Sequence, residues 1–484
     1  MDRLSYKTLE KQGYTGYLLR EAPERVLQFG EGNFLRAFAE DFIDRMNEKA
    51  DFNAKVVLVQ PRGGHPETCA CFREQDGLYT LLLRGRENGA AVERRRVVSA
   101  VSRCFDAKNE WAEVLGCAKN PALRFLITNT TEAGIVFDPA CGASDAPPSS
   151  FPAKLACFLY ARWKAALPGF IILSCELIDH NGDVLARCVK AYIDLWGLEP
   201  EFAAWTDREN LFCTTLVDRI VTGAPKTQRD RIYADLGYED RLLDTGEVFA
   251  DWVIEGPPSI GDELPFEKAG LPIRVVGDVT PYKQRKVRIL NGAHTSMVPA
   301  AYLAGRNIVR ECMSDPVIKP YLDTLLFREI IPTLDLPRAE LEAFAFSVLD
   351  RFDNPYIDHQ LLDIALNSAA KWKARVMPSL IEYYRRFGAL PKCLCFSLAA
   401  FIAFYADGER GGEVYPVRDD PPVLAFFAAN KGKPAAALTR AVIDEPFLWD
   451  GELEKIPGLP DAVAAVLARI GEVGIREAMK ECAQ

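Results

Sequence analysis

Between residues 25 and 60 the hydrophobic pattern changes its period twice. Residues 25–29 (Arg-Val-Leu-Gln-Phe) form a short apolar run that stops at Gly30, as a buried strand does. Over 33–49 the apolar positions Phe34, Leu35, Phe38, Phe42, Ile43 and Met46 recur at helical spacing, which predicts an amphipathic helix. Residues 55–60 (Lys-Val-Val-Leu-Val-Gln) then read as a second strand, closed by Pro61 and Gly63-Gly64. Strand, glycine turn, helix, strand is a βαβ unit, which implies a parallel sheet and a right-handed crossover.

The pattern goes on with a predicted hairpin of strands 78–84 and 96–103 around Glu87-Asn88-Gly89. A helix over 109–119, a strand over 124–130, a helix over 152–166 and a strand over 169–175 follow, with further strand character at 253–255 and 273–276. Beyond residue 281 the strand signals stop. Helical patterns cover 286–303, 315–331, 338–352, 360–384, 394–405 and 460–480. The expected fold class is α/β: a Rossmann-like N-terminal domain with a mainly parallel sheet over 1–280, and a mostly α-helical domain over 281–484.

Charge and composition narrow the function. Lys+Arg is 58 against Asp+Glu 68, a net charge of −10, and no basic stripe for nucleic acid is present. The longest uncharged apolar run, 393–406, is too short to span a membrane and reads as a buried helix. The chain starts Met1-Asp2-Arg3-Leu4 without an apolar signal region, so a cytoplasmic enzyme is expected. Its 13 cysteines show no CxxC pairing, and the four histidines (His65, His180, His294, His359) are far apart, so no metal site is expected.

Candidate chemistry collects at three places. In Phe29-Gly30-Glu31-Gly32-Asn33-Phe34-Leu35-Arg36, glycines allow a turn after a strand and the helix start presents free N–H groups, which suits a dinucleotide pyrophosphate. The next strand ends in Gln60-Pro61-Arg62; Gln60 can bond a ribose hydroxyl and Arg62 can pair with a 2′-phosphate, so NAD and NADP both stay open. Thr128-Asn129-Thr130-Thr131-Glu132-Ala133-Gly134 follows a buried strand, where ligands of open α/β sheets bind. Third, residues 281–294 bring together Lys283, Lys286, Asn291 and His294. A carbonyl under reduction needs a proton donor and hydrogen bonds to its oxygen. At about 100° per residue, Lys286, Asn291 and His294 fall at roughly 0°, 140° and 80°, and wheel geometry favours Lys283, about 20° from His294.

Seven stretches in order resemble the mannitol dehydrogenase family of long-chain, zinc-independent polyol dehydrogenases. They are residues 29–36, Gln75-Asp-Gly-Leu-Tyr79, Asn129-Thr-Thr-Glu-Ala-Gly134, Cys175-Glu-Leu-Ile178, Leu216-Val-Asp-Arg-Ile-Val-Thr-Gly223, Lys286-Val-Arg-Ile-Leu-Asn-Gly-Ala-His294 and Arg351-Phe-Asp-Asn-Pro-Tyr-Ile-Asp-His-Gln360. The resemblance implies NAD(H), no metal, and contacts to the cofactor from Phe29, Gly30, Gly32, Asn33, Phe34, Arg36, Gln60, Asn129, Thr130, Thr131 and Glu132. It places the catalytic lysine on Lys286 rather than Lys283, an oxygen-polarising role on Asn291 and an orienting role on His294. Family members acting on plain polyols carry Asp-Asn after Ser-Cys; here Ser174-Cys175 is followed by Glu176-Leu177, and Leu177 cannot hold an oxyanion.

That departure fits the hexuronate branch, so the implied activity is interconversion of D-tagaturonate and D-altronate. Fructuronate reduction and mannitol-type polyol oxidation are the alternatives within the family. A nucleotide-binding protein without turnover is a more distant one, disfavoured because Lys286, Asn291 and His294 are all present. A uronate carboxylate calls for a cation, and Arg351, Lys371 and Arg375 are candidates, with His359 and Glu176 as further substrate contacts. The expected partner is the small-molecule substrate alone, on a monomer or weak homo-oligomer.

Overall fold

The structure, a computed structural model, describes residues 1–63, 66–131 and 133–484, with nothing said of the Asp407 side chain. It divides into two units: Met1–Arg84 with Val92–Val279, and Gly85–Ala91 with Thr280–Gln484.

The first unit is built on an eight-stranded sheet. Its strands are β1 (Glu24–Phe29), β2 (Lys55–Gln60), β3 (Val101–Asp106), β4 (Phe125–Thr128), β5 (Ile171–Ser174), β6 (Leu211–Asp218), β7 (Asp251–Glu255) and β8 (Ile273–Val276). Their spatial order is 3-2-1-4-5-6-7-8. The first six are parallel, in the order of a dinucleotide-binding sheet, and the topology reverses between β1 and β4. β7 runs antiparallel to β6, and β8 parallel to β7.

Alternate residues of the central strands feed two cores, one on each face. Val26, Val56 and Leu58 pack with Phe38 and Phe42 on one side, whereas Leu27, Phe29, Val57 and Val59 pack with Phe158 and Leu159 on the other. Strands covered on both faces read as continuous apolar runs, which is why they were visible in the sequence.

The predicted strand 96–103 is in fact two strands. The hairpin pairs Tyr79–Glu87 with Ala90–Val98, and the chain then breaks before Val101–Asp106 joins the main sheet beside β2. The break is enforced by buried Asp44, whose Oδ1 accepts from Ser99 N (2.8 Å) and Ser99 Oγ (3.0 Å).

Within Thr280–Gln484 of the second unit the only strands among the described residues are the two-residue pair Glu409–Arg410 and Glu413–Val414; the other regular elements are helices. Its central helix, Lys392–Asp407, is apolar on all sides and packs against Gly292–Leu303, Leu459–Val473 and Ile475–Ala483. Pro391 gives this helix no side-chain cap. Instead Glu329 accepts from Cys393 N and Leu394 N, both at 2.8 Å. Two predicted helices are broken. The 360–384 pattern splits into Leu361–Ile364, Ser368–Arg375 and Met377–Phe387, with Asn367 at φ 54° and Pro378 opening the last piece. The 460–480 pattern splits at Gly474, φ 81°. Among the described residues no helix is long and apolar enough to cross a membrane.

Candidate active site

In the first unit β1 ends at Phe29 and the chain turns through Gly30 at φ 120°. The turn is fixed on several sides. Gly30 N donates to Val59 O (2.9 Å), Asn129 N donates to Phe29 O (3.0 Å), and buried Gln28 donates from Nε2 to Gly30 O (2.7 Å). A Cβ on Gly30 would lie 2.7 Å from Asn129 O, so glycine is required there. A helix over 33–50 starts behind Gly32, which caps it without a side chain, and space for a Cβ at Gly32 is open. Backbone N–H groups at a helix start facing open space fit a pyrophosphate.

The helix is α at Asn33–Leu35, π at Arg36–Glu40 and α again at Asp41–Ala50. Beneath the turn, Gln28 Nε2 also donates to Glu40 Oε1 (2.8 Å). Arg36 is buried and committed to Leu242 O and Asn33 Oδ1, with Asp244 at 3.8 Å. It therefore braces the turn from below. Phe29 is likewise internal, 5.1 Å from the Phe151 ring, and Phe34 stacks on Phe38. The Phe29 and Arg36 side chains, expected from the sequence at the cofactor, thus support the turn.

Burial pushes the Glu40 carboxyl up to about 7. The native state therefore holds a proton that the unfolded chain has already released, and stability falls as pH rises from the ordinary glutamate range through 7. Glu40→Gln keeps an oxygen for Gln28. Between pH 6 and pH 8 the wild type should lose about 1 kcal/mol more than this variant, read from urea midpoints. Equal losses would show that Glu40 does not carry the dependence.

The carboxyl ends of β2 and β4 flank the turn. Gln60 Nε2 donates to Glu31 Oε1 (2.7 Å), which sets a carboxylate at the β2 terminus, where a ribose is usually bound. The sequence reading missed Glu31 because the acid comes from the glycine turn and not from the strand. A cleft of about 490 Å³ opens past the end of β2, lined by Arg62, Thr130, Gly134, Phe137, Ser150 and Phe151 among others. Its volume is that of a small-ligand site. Thr131 has φ 72°, rare for a β-branched residue, and its Oγ1 accepts from Arg62 Nη2 (3.2 Å). Glu132 lies outside the described residues.

Glu176 sits where the chain leaves β5, 2% exposed. Its Oε1 accepts from Thr130 N (3.0 Å) and Thr130 Oγ1 (3.1 Å), and its Oε2 from Thr128 Oγ1 (2.9 Å). Burial pushes its carboxyl upward. Glu176, expected from the sequence at the substrate, is thus engaged by the 128–130 loop and holds it. Asn129 Nδ2 adds a bond to Cys175 O (2.7 Å). Leu177, in contrast, is 64% exposed. Sequence reading also missed Asn181, whose Nδ2 donates to Ser174 O, Glu176 O and Thr215 O at 2.8–3.0 Å. The signal available was an Asn-Gly pair opening a helix just after a strand.

In the second unit one helix over 280–303 carries Lys283, Lys286, Asn291 and His294. It is α at Thr280–Arg285, π at Lys286–Asn291 and α at Gly292–Leu303. A π-turn takes in one extra residue per turn, so it holds back about 100° of rotation. His294 then falls about 20° from Lys286 and about 80° from Lys283, with Asn291 about 40° from Lys286. The regular-wheel preference for Lys283 is reversed, and Lys286, Asn291 and His294 share one face.

His294 stacks on Phe352 (ring centroids 3.9 Å, 24° between planes) with His359 edge-on at 5.5 Å. Burial, reinforced by His359, Arg351 and Arg375, holds its imidazole well below the usual histidine range. The ring is therefore neutral at physiological pH, and its Nε2 is buried without a hydrogen-bond partner among the described residues. Such an orphaned nitrogen is open to a ligand hydroxyl. Around it lie the cations expected from the sequence. Lys371 donates to Ile364 O (2.9 Å), and burial and Arg375 lower its ammonium. The Arg375 carbonyl packs against Gly292, 3.0 Å from where a Cβ would stand.

Residues 24–268 match the mannitol dehydrogenase Rossmann domain and residues 278–471 the mannitol dehydrogenase C-terminal domain. The chain is 45% identical to altronate oxidoreductases of Shigella flexneri serotype 5b (strain 8401) and Escherichia coli O7:K1, over 98% of this chain and 99% of each relative. Among solved structures it is similar to a substrate-free D-sorbitol dehydrogenase (TM-score 0.84, 25% identity, 98% of this chain and 100% of that one). It also shares its fold with Pseudomonas fluorescens mannitol 2-dehydrogenase, solved as a ternary complex with NAD and D-mannitol (TM-score 0.68, 22% identity, 99% of each chain).

Proposed function

The chain belongs to the mannitol dehydrogenase family, and on that premise we propose that it interconverts D-tagaturonate and D-altronate with NAD(H). The observation that carries the catalytic part is the π-turn, which gathers Lys286, Asn291 and His294 on one helix face. The substrate reading draws on the altronate oxidoreductases that this chain resembles at 45% identity.

In the first unit Gly30 and Gly32 let backbone N–H groups face the pyrophosphate of the dinucleotide, and Glu31 with Gln60 receives the adenosine ribose. A carboxylate there repels a 2′-phosphate, which supports NAD(H) over NADP(H). Asn129, Thr130 and Thr131 line the ligand side of the loop that Glu176 holds. Bound NAD(H) supplies or accepts the hydride. From the second unit, the Lys286 ammonium gives a proton to the carbonyl oxygen in reduction and takes it from the hydroxyl in oxidation. The Asn291 amide donates to the same oxygen, and neutral His294 orients it through a ring nitrogen.

The test is NADH consumption with D-tagaturonate, D-fructuronate and D-fructose in parallel. D-tagaturonate should give the highest kcat/KM, and NADPH should serve more poorly than NADH. Faster turnover of D-fructose than of either ketouronate would overturn the hexuronate reading. Preference for NADPH would overturn the role given to Glu31.

A further inference from the structure

A hexuronate differs from a neutral ketose by a carboxylate, so a selective site needs a cation that is not already neutralised. The cations carried by residues 310–418 of the second unit differ in this respect. Lys373 pairs with Asp450 (2.6 Å), Arg418 with Asp363 (2.9 Å) and Arg310 with Asp358 (2.6 Å). Lys371 spends its ammonium on Ile364 O, and Arg351 is already engaged.

Arg375 stands apart. It is half-buried, and its guanidinium makes no hydrogen bond or ion pair among the described residues. It ends the helix Ser368–Arg375, and its backbone packs directly on Gly292, between Asn291 and His294 in sequence. Leaving a partly desolvated guanidinium without an anion is costly, and its planar fork matches a carboxylate in two-bond geometry. Lys371 lies one helical turn before it, on the same side of the helix.

We propose that the Arg375 guanidinium receives the substrate carboxylate and thereby selects a hexuronate over a neutral ketose. This rests on the hexuronate reading above and deepens it. Burial lowers the Arg375 guanidinium, the direction expected of a cation that lacks a native counter-charge. The incoming carboxylate supplies that counter-charge. It also fixes one end of the sugar chain, so that the reacting carbon is held at a set distance from the carboxylate.

Arg375→Gln and Arg375→Lys test this, with kcat/KM for D-tagaturonate, D-fructuronate and D-fructose, NADH affinity by fluorescence titration, and thermal unfolding. Arg375→Gln should lower kcat/KM for the preferred ketouronate by at least 100-fold, mostly through KM, with NADH affinity and melting temperature kept. Arg375→Lys, which retains the charge without the fork, should recover part of the loss. Ketouronate turnover within threefold of wild type in Arg375→Gln would overturn the assignment of Arg375 while leaving the hexuronate reading intact. So would an equal loss on D-fructose, or a loss of NADH binding alongside. Wild-type preference for D-fructose would overturn both.

Discussion

Lys286→Ala should lower kcat by on the order of 10²–10⁴, the usual contribution of a positioned acid–base group. Affinity for NADH should change little, because the groups assigned to the dinucleotide belong to the first unit and Lys286 to the second. The shape of one helix decides between the two lysines. Without the π-turn, Lys283 would share the face of His294; with it, Lys286 does. Lys283→Ala is therefore the matched control and should keep most of its activity. Pre-steady-state measurement of the chemical step separates this loss from slow product release. Near-full activity in Lys286→Ala, with loss in Lys283→Ala, would show that the acid–base group had been placed on the wrong lysine.

The second large effect is expected at Gly30. An alanine there faces two obstacles: φ 120° is a conformation that L-residues avoid, and its Cβ would stand 2.7 Å from Asn129 O. The turn cannot shift to relieve the contact, since Gly30 N is bonded to Val59 O and Gly30 O to Gln28. Gly30→Ala should cost about 1–3 kcal/mol in unfolding free energy and weaken NADH binding at least tenfold. Gly32→Ala supplies the contrast. Its φ is −69° and nothing lies within 4 Å of the added Cβ, so the fold should survive while the methyl intrudes on the dinucleotide. Urea titration and NADH fluorescence on both variants check the pair. A Gly30→Ala protein with wild-type stability and affinity would mean that the turn is far softer than its hydrogen bonds imply.

What could be read from the residues alone follows from where burial is symmetric. β1, β2 and β4 lie between two cores and announce themselves as apolar runs, and the helix over 33–50 shows a one-sided apolar stripe. The helix Arg338–Phe352 was legible to its ends. Departures arose where a single side chain or backbone angle overrides the period. Asp44 divides one predicted strand in two by claiming Ser99. Asn367, Pro378 and Gly474 divide two predicted helices.

The antiparallel entry of β7 leaves no mark in composition, because a buried strand looks the same in either direction. At the site, residue types were legible and their orientations were not. Glu176 and Arg36 carry the expected chemistry but point it at neighbouring loops, and Glu31 becomes informative only through its bond to Gln60. The π-turn is invisible to any fixed-angle wheel, since one surplus residue in a helix has no compositional signature.

That surplus residue makes helix length a determinant separate from helix composition. Exchanging Val287 for another apolar residue leaves the count between Lys286 and His294 untouched. Removing it leaves seven residues from Lys286 to His294, so a regular ladder at about 100° per residue still sets the two about 20° apart and keeps Lys283 about 80° away. Among descendants of this sequence, a one-residue deletion that closes the π-turn should therefore keep Lys286 on the His294 face, whereas closing the turn at unchanged length would bring Lys283 there.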